Sequence, residues 1–182
     1  MLPADIFIDT EILLDYIIPD RRTKFMCSCL LVEEISKGNL KALTADYVLS
    51  EIMGKLKSEK EQRKGTGHIQ KETLNTTEKI EIQRIVQTVK DIPNLKIFTP
   101  TRDISQQEIY EIVRNTCVQT KDALVLLTAL DAKNKYKNLG LITRDEKLLI
   151  RSKSKIISFH PSDYINKCPP DCVTKGACHH RK

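Results

Sequence analysis

Two apolar periods alternate along this chain. Residues 5–9, DIFID, form a short continuous apolar run that ends on an acid, as a buried strand does. Residues 10–18 follow with helical spacing and stop near Pro19. Residues 23–37 again have helical character and end at Gly38, a residue suited to a helix C-terminus. A strand is expected over Leu40–Leu43, and Thr44 or Asp46 can cap a helix carrying Val48, Leu49, Ile52 and Met53. Ile82, Ile85, Val86 and Val89 fall at i, i+3, i+4 and i+7, one buried stripe on a helix over 76–91. Leu95–Phe98 reads as a strand. Ser105 can cap a helix with Ile109, Ile112 and Val113 inward, and Thr120 can cap the most apolar helix, KDALVLLTALDAKNKY. A strand at Gly140–Thr143, a short helix at 145–151, a strand at Lys155–Phe159 and a last turn opened by Pro161 and Ser162 complete the pattern.

Strands alternate with helices, and no Asn-Gly hairpin signal joins two of them. The expectation is an α/β fold, a three-layer α/β/α sandwich with a mostly parallel central sheet. It occupies residues 1–166. Residues 167–182, KCPPDCVTKGACHHRK, form a separate Cys/His-rich tail. Segment 55–75 interrupts the pattern with two glycines and few apolar residues, and reads as a loop or a frayed helix end. In it Lys55, Lys57, Lys60, Arg63, Lys64 and Lys71 are opposed only by Glu59 and Glu61. This basic stretch is either a solvated surface or a non-specific phosphate contact.

Composition narrows the function classes. The 182 residues can bury a real core without staples. With no Trp and 5% aromatics, a surface built on many base-stacking platforms is not expected. The net charge of +6 fits a polyanion partner without demanding one. No apolar run approaches the roughly 20 residues of a membrane span. The N-terminal stretch carries Asp5, Asp9, Glu11 and Asp15 and lacks a basic start, so it does not read as a signal peptide. The expected location is the cytoplasm, with no membrane partner. The six cysteines are laid out against a disulfide framework. Cys27, Cys29 and Cys117 read as small core residues. The tail spacing Cys-x3-Cys-x5-Cys-His-His offers a zinc set of Cys168, Cys172, Cys178 and His179 or His180, with His180 taken as the fourth ligand, although an adjacent Cys178 and histidine strain tetrahedral geometry. The competing reading is a disordered tail.

The acids carry the candidate chemistry. In doubly wound sheets, ligands bind at the carboxyl ends of the strands. Asp9 ends the first strand and Asp145 follows the fourth, Asp122 opens the apolar helix, and Glu51 lies in a helix beside Leu49 and Ile52. Each has a plainer role: a strand-end turn for Asp9, a solvated helix position for Glu51, compensation of the helix dipole for Asp122, a helix cap for Asp145. Converging, four such carboxylates would repel one another and raise one another's pKa values. A hard divalent cation held by oxygen ligands relieves this and can activate water against a phosphodiester. Asp5, Glu11, Asp15, Asp46, Asp103 and Asp131 read as caps or surface charges; the closeness of Glu11 and Asp15 to Asp9 in sequence leaves a supporting role open for these two, and His68 and His160 have no assigned role. Lys121 and Arg144 flank two of the acids and are candidates for contacting substrate phosphate or for balancing the acids.

The segments IFIDT at 6–10, LSEIM at 49–53, TKDALVLLTAL at 120–130 and LITRDEKLL at 141–149 resemble, in order and spacing, a PIN domain, most closely the VapC-type toxin ribonucleases. The resemblance covers roughly residues 4–165. It implies a metal-dependent endoribonuclease that leaves 5′-phosphate and 3′-hydroxyl ends. Asp9, Glu51, Asp122 and Asp145 would hold Mg²⁺ or Mn²⁺, with Thr10 and Thr143 as supporting hydroxyls. It further implies RNA as substrate, an antitoxin protein as partner and a homodimer as a common assembly. The cationic stretch and the cysteine tail depart from the toxin pattern. They leave open a ribosomal or other RNA-processing nuclease, or a non-catalytic RNA-binding module.

Overall fold

The computed structural model describes residues 2–64 and 74–165. The centre of the cationic stretch and the expected zinc ligands Cys168, Cys172, Cys178 and His180 lie outside them. The elements, in chain order, are β1 (Asp5–Ile8), α1 (Thr10–Ile17), α2 (Pro19–Arg22), α3 (Met26–Ser36), β2 (Lys41–Ala45), α4 (Asp46–Lys64) and α5 (Thr76–Lys90). Then come β3 (Leu95–Phe98), α6 (Gln106–Thr116), α7 (Thr120–Lys135), β4 (Leu139–Ile142), α8 (Glu146–Ser152), β5 (Ser158–Phe159) and a 3-10 turn at Pro161–Asp163.

The strands form one sheet in the order β3-β2-β1-β4-β5, parallel throughout. β1 is central: Asp5 stands opposite both Lys41 and Leu139, and Ile8 opposite Ile142. Its Ile6, Phe7 and Ile8 are fully buried, which is why the segment reads as continuously apolar rather than alternating. From β1 the chain steps through β2 to β3 at one edge, then returns across to β4 and β5 at the other. Right-handed crossovers therefore put α1–α5 on one face and α6–α8 on the opposite one. The packing agrees, with α1 against α3, α4 and α5, and α6 against α7. The direction in which strands are added to the sheet reverses between β1 and β4.

Local chemistry accounts for most boundaries. Asn75 and Ser105 open α5 and α6 with reciprocal capping boxes to Glu78 and Glu108. Gly38, at φ 84°, follows α3 in the left-handed region that a side chain would disfavour. A Cβ on Gly140 would stand 2.7 Å from Pro3 Cγ, so that strand position needs glycine for close approach.

Several expectations are corrected. Pro19 ends α1 but also opens α2, since a first helical residue needs no N–H partner. α4 continues through Lys64, so of the two readings of that stretch, a loop or a helix end, its first part is helix, because its Lys, Glu and Gln residues are good helix formers. Leu56 is buried and Lys60 pairs with Glu81 of α5, which adds tertiary support. Thr44 caps nothing: it lies in β2 and donates to the Ile8 carbonyl at 3.1 Å. Thr120 is already helical and Gln119 precedes it without a side-chain cap. β5 starts only at Ser158, because residues 153–156 wrap the end of α8 through bonds to the Ser152 carbonyl.

Asp131 is buried rather than superficial, accepting from the Thr101 N–H at 2.7 Å and from its hydroxyl at 3.0 Å. His160 is buried and caps the final turn. Cys29 is a buried free thiol as expected, but Cys117 is exposed, ending α6 at φ 51°. Cys27 is buried and disulfide-bonded, against the expectation of reduced core cysteines. No helix among the described residues is long and apolar enough to cross a membrane.

Candidate active site

Asp9 follows the last residue of β1 and caps α1. Its backbone N–H donates to the Ile142 carbonyl at 3.1 Å, which ties the end of β1 to the end of β4. Its carboxylate accepts from the Thr10 N–H at 2.6 Å on Oδ1 and from the Thr143 hydroxyl at 2.8 Å on Oδ2. Thr143 Oγ1 in turn accepts from the Asp145 N–H at 3.0 Å. One hydroxyl thus links two of the expected acids. Asp145 caps α8, with Oδ1 accepting from Lys147 N at 2.7 Å and Leu148 N at 3.1 Å. Glu51 arrives from α4, and its Oε2 accepts from the Thr10 hydroxyl at 2.6 Å. Asp122 lies in the first turn of α7.

All four acids line one cavity of about 220 Å³, together with Thr10, Glu11, Lys121, Val125 and Arg144. It opens at the carboxyl ends of β1 and β4, where the chain reverses direction across the sheet, the usual place for a ligand in such a fold. The expected plain roles of Asp122 and Asp145, dipole compensation and helix cap, hold as well. A cap and a cavity-lining acid are compatible because a carboxylate has a second oxygen.

The acids feel one another. Burial pushes the Asp9 carboxyl up; bonds from Thr143 and Thr10 oppose it, and the charges of Glu51 and Glu11 add to it, leaving it at about 6. Burial also raises Asp122, with Lys121 and the Gln119 backbone pulling down and Asp145 and Glu51 pushing further up. Cations balance the set. Lys55 Nζ lies 3.5 Å and Lys121 Nζ 3.9 Å from Glu51 Oε1. Burial alone would raise Glu11, but its pairs with Lys55 and Arg21 outweigh this and hold its carboxyl at about 2.

Sequence reading missed part of this network. Asp15, expected at the surface, is fully buried between Arg21 Nε at 3.0 Å and Arg144 Nε at 2.8 Å. The signal was available: an acid inside the apolar run EILLDYII must be paired if it is buried. Lys55, read as part of a mobile basic stretch, instead joins Glu11 and Glu51. Arg144, a candidate for phosphate contact or for balancing acids, is turned toward the acids Glu11 and Asp15.

The donor set is chemically suited to a hard divalent ion: carboxylate oxygens only, two of them raised by burial and by their neighbours. Among the described residues, however, no group of three or more His, Cys, Asp or Glu side chains closes round a single point. One physical reason is Glu51, whose two oxygens are engaged by Thr10 on one side and by Lys55 and Lys121 on the other.

No family model and no curated protein matches the chain. Among solved structures it is similar to VapBC2 from Rickettsia felis bound to a DNA fragment from their promoter. That match has a TM-score of 0.48 and 15% identity, over 86% of this chain and 98% of the other. The likeness is too distant to assign a function.

Proposed function

We propose that this chain is a metal-dependent endoribonuclease of the PIN type, with Asp9, Glu51, Asp122 and Asp145 holding Mg²⁺ or Mn²⁺. The observation that carries the reading is that four acids from four separate elements face one cavity at the carboxyl edge of a parallel sheet. Thr143 and Thr10 hold Asp9 from both sides, and Thr10 also holds Glu51, so three acids share a common frame. Lys121, half-exposed at the cavity, binds the substrate phosphate. A bound divalent ion supplies a Lewis acid that lowers the pKa of its water and steadies charge on the phosphodiester.

The test is cleavage of a labelled structured RNA mixture with Mn²⁺, with EDTA, and with Asp9→Asn protein. Cleavage that needs both metal and Asp9 is expected. Cleavage by Asp9→Asn at the wild-type rate would disprove the site. RNA binding without cleavage, unchanged in EDTA, would point to a binding module. The motif resemblance to VapC-type toxins adds a toxin role, with an antitoxin segment covering the acidic cavity. Expression without a partner decides this: growth arrest that depends on Asp9 supports the toxin, and unimpaired growth supports RNA processing.

A further inference from the structure

Arg144 sits between Thr143, which holds Asp9, and Asp145, and its side chain lies against two carboxylates and an aromatic ring. Its guanidinium stacks on Phe25 at 3.5 Å from the ring centroid. Nε lies 2.8 Å from Asp15 Oδ2, and Nη2 lies 3.3 Å from Asp15 Oδ1 and 3.2 Å from Glu11 Oε2. Asp15 has no exposure to solvent, so its charge depends on these partners. A planar fork directed at two carboxylates, with one face on an aromatic ring, is set up to hold those groups, which favours a bracing role over a substrate contact.

The short segment 143–145 is therefore pinned at every residue. Thr143 is fixed to Asp9, Asp145 to the start of α8, and Arg144 to α1 and to the residue preceding α3. We propose that Arg144 is a positioning residue: by gripping buried Asp15 and stacking on Phe25, it fixes where Asp145 stands relative to Asp9 in the divalent-cation site. This rests on the metal-binding reading of the cavity. Groups that orient metal ligands typically change metal affinity by about 10–100-fold when altered.

Three roles for Arg144 differ in sign. If it were only a nearby positive charge, a variant keeping the charge would bind metal as wild type does. If it contacted substrate, RNA affinity would fall and metal affinity would not. As a brace, it must lower metal affinity when its fork is lost, even with the charge retained.

The experiment is calorimetric titration of the full chain with MnCl₂, for wild type, Arg144→Lys, Asp15→Asn, Phe25→Leu and Asp9→Asn. Folding of each in EDTA is checked by circular dichroism. Arg144→Lys and Asp15→Asn are expected to weaken Mn²⁺ binding about tenfold or more. Phe25→Leu keeps both ion pairs and is expected to weaken it less; it carries the test if the other two fail to fold. Wild-type Mn²⁺ affinity in Arg144→Lys and Phe25→Leu overturns the proposal. So does a loss of RNA affinity in EDTA with Mn²⁺ binding unchanged. Mn²⁺ binding that Asp9→Asn abolishes but Arg144→Lys leaves intact removes the brace alone. Absence of Mn²⁺ binding in wild type removes the metal site and the brace with it.

Discussion

Asp9 and Glu11 sit two residues apart and are displaced in opposite directions, one to about 6 by burial among acids, the other to about 2 by Lys55 and Arg21. Their contributions to stability have opposite signs. The fold favours protonated Asp9, so its ionisation removes stability as pH rises from about 4 to 6, by about 3 kcal/mol in all. Glu11 contributes stability above its ordinary range, and this is lost as pH falls from about 4.5 toward 2. In EDTA, denaturant titrations across pH should show these two groups favouring a maximum near pH 4–5. Asp9→Asn should flatten the fall above it. A metal-free protein whose stability rises steadily from pH 4 to 7 would contradict the burial of Asp9. Asp122 obeys the same logic. Asp122→Asn should melt in EDTA no lower than wild type, whereas Mn²⁺ should raise the melting temperature of wild type only.

Among the elements, α8 offers a way to separate the structural role of Asp145 from its proposed one. Asp145 caps it through two backbone N–H groups. Asn caps nearly as well as Asp, so Asp145→Asn should keep stability within a few tenths of a kcal/mol while cleavage is lost. Asp145→Ala should lose cleavage and about 1 kcal/mol besides. Ser105 is the control. It caps α6 away from the cavity, so Ser105→Ala should cost about 1 kcal/mol in denaturant melts and leave the cleavage rate unchanged. Capping signals such as Ser105 and Gly38 were local and were read, and Asn75-x-x-Glu78 was equally local and was not. The length of α4 was not legible, because its second half is polar and gains support from contacts such as Lys60 with Glu81 that no local window contains.

Across the whole molecule, one ionic network joins α1, α2, α4 and the β4–α8 connection through Glu11, Asp15, Arg21, Lys55 and Arg144. Asp15→Ala would strand two arginine heads and should cost about 3–5 kcal/mol, measured by equilibrium unfolding.

Hydrophobic patterning alone specified the alternation of strands and helices and the parallel sheet, and it marked out the four acids as candidates. Buried parallel strands must be continuously apolar, and an acid at the end of such a run stands out. It could not determine which charges pair across the fold. Asp15 read as a cap or surface charge, Lys55 as part of a solvated or phosphate-contacting stretch, and Arg144 as a phosphate contact or a balance to the acids, because a charged side chain looks alike in sequence whether water or an opposite charge surrounds it. Only the packing of α1 against α3 and α4, with the end of β4 beside the end of β1, decided that these residues form the frame behind the cavity.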